Sequence, residues 1–153
     1  MKKFLFFFGF CFFLASVGFA QFSSINNYVT RTWSSADGLP GNSVLDIVQA
    51  KDGYLYFGTY ECLVKFDGFE FQNLNKYSDS KMDFISARSI FEDSKEFMWV
   101  GSNDEGIQKF SRNSVEHIST ENGLPNNSVR SFIEDRFGNV WVGTASGVVY
   151  ITP

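Results

Sequence analysis

The feature that most restricts how this chain folds is internal repetition, with a period of about 42 residues. Gly58, Gly101 and Gly143 mark it, at spacings of 43 and 42. Around them three segments superimpose. Each has an aromatic residue (Tyr56, Trp99, Trp141), then Phe57, Val100 or Val142, then the glycine, then Thr59, Ser102 or Thr144. A second element recurs 85 residues apart: Asp37 to Val44 against Asn122 to Val129, sharing Gly, Leu, Pro, Asn, Ser and Val. Its centre is Gly38-Leu39-Pro40 in one copy and Gly123-Leu124-Pro125 in the other.

Strand formers alternate with turn residues inside each unit. In the third, Val129 to Glu134 and Val140 to Thr144 flank a turn over Asp135 to Asn139, and Val148 to Ile151 follows the Ser146-Gly147 turn. The first unit adds a fourth strand, Phe69 to Leu74. Short antiparallel meanders that are apolar on both sides suit propeller blades, because each blade sheet is sandwiched between two others. The predicted fold is all-β: a partial β-propeller of about three four-stranded antiparallel blades, the last incomplete, behind a signal peptide. Its expected divisions are 1–20 (signal peptide), 21–36 (lead-in strand), 37–83 (blade 1), 84–121 (blade 2) and 122–153 (blade 3).

Tyr56, Trp99 and Trp141 are expected to fill the gaps between blades, where aromatic rings bury the most area. Gly58, Gly101 and Gly143 are expected where backbones approach closely, so a side chain there should disturb packing.

The first twenty residues stand apart. Lys2 and Lys3 precede an apolar run from Phe4 to Leu14, and Gly18 and Ala20 are small residues ahead of Gln21. This is the pattern of a secretory signal peptide cut after Ala20, and the run is short for a membrane span. Cleavage would leave 11 Lys and Arg against 17 Asp and Glu. That acidic balance argues against nucleic acid as a partner. Cys62 would then be the sole cysteine, which excludes an internal disulfide.

The chain resembles the two-component regulator propeller repeats of bacterial receptors. The resemblance rests on Asp37 to Val44 and Asn122 to Val129, on the turn Asp135 to Asn139, and on Trp141-Val142-Gly143-Thr144 with Gly147. It covers roughly residues 28 to 153, and Tyr28, Arg31 and Trp33 fit the way such regions begin. Three departures fall mainly on the middle unit: Cys62 stands where the other units have Gly106 and Gly147, Glu96 replaces the turn glycine of Gly53 and Gly138, and Gly-Leu-Pro is missing there.

The resemblance implies a periplasmic ligand-sensing module of a signal-transduction receptor, whose output domain is a histidine kinase or, alternatively, a diguanylate cyclase. Oligosaccharides or other small periplasmic molecules are the implied ligands. Closed propellers of this type need about seven blades, so the chain is expected to be an N-terminal fragment, completed by the receptor's remaining blades or by a partner chain. The competing readings are a secreted scaffold and a carbohydrate-active propeller.

Catalysis finds little support in the residues. Glu92-Asp93 and Glu134-Asp135 are adjacent carboxylates, but neighbours on a strand point apart, whereas a glycosidase pair faces one bond. They read as turn-initiating acids at equivalent places. His117 is the only histidine and has no ligand spacing around it. No catalytic residue, metal or cofactor is expected. One pair points to binding. Arg88 and Arg130 occupy equivalent positions 42 apart, at the start of first strands, where two guanidiniums could meet an anionic ligand.

Overall fold

The computed structural model of the protein describes residues 29–74, 86–112 and 114–152. The expected signal peptide and its cleavage point lie outside them. Contacts divide the chain into two units, the first ending at Arg31 and the second running from Thr32. Of the first, residues 29–31 are described and have no regular structure. The architecture below belongs to the second.

Three antiparallel sheets follow one another along the chain. The first holds β1 (Val44–Gln49), β2 (Leu55–Thr59), β3 (Leu63–Phe66) and β4 (Phe71–Asn73). The second holds β5 (Ser89–Glu92), β6 (Met98–Gly101), β7 (Ile107–Phe110) and β8 (Val115–Ile118). The third holds β9 (Val129–Glu134), β10 (Val140–Thr144) and β11 (Gly147–Ile151). Within each sheet spatial order equals chain order, the up-and-down meander of a propeller blade. The expected all-β partial propeller is the observed fold.

Registers repeat as well. Gly58, Gly101 and Gly143 pair with Leu63, Ile107 and Val148 in the following strand. Each first strand that pairs through its start carries one extra residue there: Leu45 in β1 and Arg130 in β9. Such bulges re-aim a side chain and increase local twist.

The core lies between sheets, because successive strand residues face opposite neighbours. In β6, Met98 and Val100 join Tyr56, Leu63, Ala87 and Ile90 between blades 1 and 2. Trp99 points the other way, with Ile107, Ile118, Leu124, Val129, Val140 and Val142 between blades 2 and 3. All four residues of β6 are consequently buried. First strands approach each other across both interfaces, β1 beside β5 and β5 beside β9, which places them innermost.

Blade 2 has the expected four strands, although β8 carries no apolar alternation, its residues Val115, Glu116 and His117 being exposed. One detail differs from the sequence expectation. The lead-in strand expected over 21–36 is absent where it is described: residues 32–34 are irregular and Ser35–Asp37 form a 3-10 turn. Among the described residues no strand pairs with this segment. Residues 21–28 of that expectation lie outside the described chain.

Candidate functional site

The repeated motifs build the frame first. Ser34 caps the 3-10 turn Ser35–Asp37 and Ser119 caps its counterpart Thr120–Asn122. Each serine accepts from the backbone inside the turn, while Asp37 or Asn122 reaches back to the serine N–H. Gly38 and Gly123 end the turns at φ 95° and 112°, a conformation that favours glycine. Asn42 and Asn127 then fasten the loop, each accepting from the first turn residue at 2.8 Å. The product is a rigid elbow that drives Leu39 and Leu124 into apolar clusters, while Pro40 is half-buried and Pro125 exposed.

The repeated aromatics are tethered by carboxylates. Asp93 accepts the Trp99 indole N–H at 2.8 Å and Asp135 that of Trp141 at 2.9 Å. The same acids accept backbone N–H groups of their own turns, from Lys95 and Phe97 in one blade and from Phe137 and Asn139 in the other. Blade 1 has Ala50 in that place and uses Asp52 instead, which accepts from the Tyr56 hydroxyl at 3.0 Å. Donors from the Asn139 amide and the Trp141 indole hold the Asp135 carboxyl down at about 2, in the ionised form these bonds need. Burial, and then the neighbouring Asp52, push the Tyr56 phenol above its ordinary range. Tyr56 and Trp99 are buried between blades, and Trp141 is 39% exposed on the outer side of blade 3.

Glu92 and Glu134 have a task the sequence reading missed. Glu92 accepts from the Lys51 N–H at 2.8 Å, and Glu134 from the Ser94 N–H at 2.8 Å. Each therefore hooks the first turn of the preceding blade. Their spacing of 42 was the available signal, but a chain of letters does not reveal that the partner lies one blade back.

The glycines of the period are sites of close approach. A Cβ on Gly58 would lie 2.4 Å from the Ala87 carbonyl oxygen, and one on Gly101 would lie 2.5 Å from Val129. At Gly143 the nearest atom is the Ser131 hydroxyl, at 2.7 Å and within its own sheet.

Arg88 and Arg130 sit at the innermost strands, at the same end of blades 2 and 3. Arg88 directly precedes β5 and is half-buried, donating to Asn103 at 2.7 Å. Arg130 is the bulged residue of β9 and is exposed. Among the described residues neither forms an ion pair with Glu92 or Glu134. At the opposite end of the strands a groove of about 870 Å³ opens where blades 1 and 2 meet, lined by Lys51, Tyr54, Lys65, Glu92 and Arg112 among others. Two of its lysines are engaged: Lys51 donates to the Asp93 and Ser94 carbonyls, and Lys65 lies 3.5 Å from Asp52 and over the Tyr54 ring.

Comparison with known proteins gives this geometry a family. The sequence profile described as two component regulator propeller matches residues 38–61 and 123–146, in each case the Gly-Leu-Pro elbow and the first two strands of the blade after it. Histidine kinase P4 of Formosa agariphila is 45% identical over 47 residues, 31% of this chain and 3% of that protein. The extracellular domain of a hybrid two component system from B. thetaiotaomicron has the same fold, with a TM-score of 0.68 at 21% identity, over 84% of this chain and 18% of its own. The chain thus spans a small part of each relative's length. On its repeats, its elbows and its blade topology, the chain carries two copies of the two component regulator propeller repeat, at residues 38–61 and 123–146.

Proposed function

We propose that the chain is part of the extracytoplasmic input propeller of a two-component receptor, a ligand-sensing module without catalysis of its own. The observation that carries the reading is the family repeat, matched twice at an 85-residue offset in blades that share one architecture. A module of this kind works by presenting side chains at the ends of its inner strands, where successive blades bring equivalent positions around one axis. Here the equivalent positions are Arg88 and Arg130.

The ligand class follows from those two side chains. Guanidinium forks pair best with planar anions such as carboxylates. A uronic-acid oligosaccharide would place one carboxylate on each arginine while its hydroxyls take up polar neighbours such as Asn103. The parent receptor would carry this signal to a kinase.

Calorimetric titration of the exported chain with a uronic-acid oligosaccharide tests the proposal. The expected result is saturable binding that weakens at least tenfold in the double variant Arg88→Ala with Arg130→Ala, about 1.4 kcal/mol or more. Binding unchanged in that variant would remove the arginines from the site. An enzymatic fusion partner that is active only outside the cytoplasm, placed after Pro153, tests export separately.

A further inference from the structure

Three charges that the fold itself does not use stand around one groove. The groove of about 870 Å³ between blades 1 and 2 has an apolar floor, where Tyr56, Met98 and Phe110 are buried and Leu74 packs against them. Lys95, Glu96 and Arg112 stand on its blade 2 side. All three are exposed, and among the described residues none of them makes an ion pair or a side-chain hydrogen bond. Their charged neighbours are committed. Lys65 lies 3.5 Å from Asp52, Lys51 donates to two carbonyls, and Glu92 accepts from the Lys51 N–H.

The meander brings these side chains together. Its successive turns alternate between the two ends of a sheet, so the β5–β6 turn with Lys95 and Glu96 and the β7–β8 turn with Arg112 lie at one end of blade 2. The β1–β2 turn puts Tyr54 on the blade 1 side of the groove, its ring 37% exposed.

Glu96 is the residue with the least structural reason to be where it is. Its φ of 66° is the only positive value at a non-glycine position among the described residues. Blades 1 and 3 have glycine at this point of the turn. Other residues that take this conformation are chiefly Asn and Asp, whose short side chains bond to the local backbone. The Glu96 side chain makes no such bond. Strained backbone of this kind persists at binding sites, where the task of the side chain offsets it.

We propose that the groove binds a short peptide with free termini and apolar side chains, at a site separate from Arg88 and Arg130, which stand at the other end of the strands. Uncommitted charges of both signs beside an apolar floor select that class. A purely anionic ligand meets Glu96 with nothing to offset the repulsion, and an uncharged ligand uses none of the three. A peptide uses them all. Its carboxylate fits the planar fork of Arg112, with Lys95 adding charge, its ammonium donates to Glu96, and its side chains cover the floor. The groove falls within the range of about 300–1,000 Å³ for small-molecule sites, which suits a peptide of about three residues.

Calorimetric titration of the full chain with trileucine tests the proposal. The expected result is saturable binding, millimolar or tighter, of one peptide per chain. Acetylating the peptide's N-terminus should weaken binding to the unmodified protein about fivefold, the scale of an exposed ion pair, and should have no further effect in Glu96→Gly. Amidating its C-terminus should do the same for the unmodified protein and have no further effect in Arg112→Ala. In Glu96→Gly the weaker binding should come with a urea midpoint that is not lowered, a combination that misfolding cannot produce. Failure of trileucine to bind overturns the proposal, and so does equal binding of the free and end-blocked peptides. Glu96→Gly binding trileucine as tightly as the unmodified chain overturns it as well.

Discussion

At Glu96 the backbone takes φ 66°, in the turn where Gly53 and Gly138 adopt 89° and 84°. A side chain in this left-handed conformation costs about 1–2 kcal/mol, while glycine costs about 0.5–1 kcal/mol in unfolded-chain entropy. The difference sets the sign. Glu96→Gly should stabilise the protein by about 0.5–1 kcal/mol, read as a higher midpoint in urea denaturation. A lower midpoint would mean that the Glu96 side chain contributes something the backbone geometry does not record. Cys62 shows the reverse solution. It holds the place of Gly106 and Gly147 without a positive φ, and the Thr59 hydroxyl accepts from the Cys62 N–H and donates to its carbonyl. The letters showed both departures from the repeat; only the backbone showed that one is strained and the other is not.

The element that organises each joint is the capped elbow. Leu124 is wedged among residues of blades 2 and 3, including Trp99, Ile107, Val129 and Val142. Leu39, in the same elbow, packs against blade 1 alone, on Cys62 and Val64 with Phe57 and Phe71 at the edge. Leucine truncations cost more when the surroundings cannot collapse into the space left. Leu124→Ala should therefore lose about 2–4 kcal/mol and Leu39→Ala about 1–2 kcal/mol in equilibrium unfolding. Equal losses would show that the wedge acts on its own blade and not on the joint. The Gly-Leu-Pro repeat made the elbow findable, since identical residues at a fixed offset must do one job twice. What that job is depends on contacts between sheets, about which the local pattern is silent. The Asp-to-indole tether was half legible in the same way: acid and tryptophan stand six apart in two blades, but four separate Asp52 from Tyr56.

Across the whole molecule stability should follow the number of neighbours each blade has. Blade 2 is covered on both faces and Trp99 is 2% exposed, whereas Trp141 on blade 3 is 39% exposed. Regions with fewer buried contacts open at lower free energy. In native-state hydrogen exchange of the dilute chain, β6 amides should exchange slowest and β11 amides fastest. Uniform protection would mean that the three blades unfold as one unit and that end blades gain nothing from a missing neighbour. The placement of Arg88 and Arg130 belongs to this scale too. Their spacing identified them as equivalent, and the arrangement of first strands puts that equivalence on the inside of the arc, at the same end of both blades.

Local chemistry was enough to determine the blades: turn residues at fixed offsets, strands of two-sided hydrophobicity and a period matching one sheet are all written along the chain. The number of strands per blade was partly hidden, because β8 is an outer strand with mostly exposed side chains and carries no alternation. Which side of each strand meets which neighbour was decided by tertiary structure alone. A strand residue faces one side or the other by parity, and the bulges at Leu45 and Arg130 shift that parity at the point where the first strand begins. The hooks of Glu92 and Glu134 and the close approaches at Gly58 and Gly101 follow from how sheets stack, a relation between residues some thirty to forty positions apart that no local pattern contains.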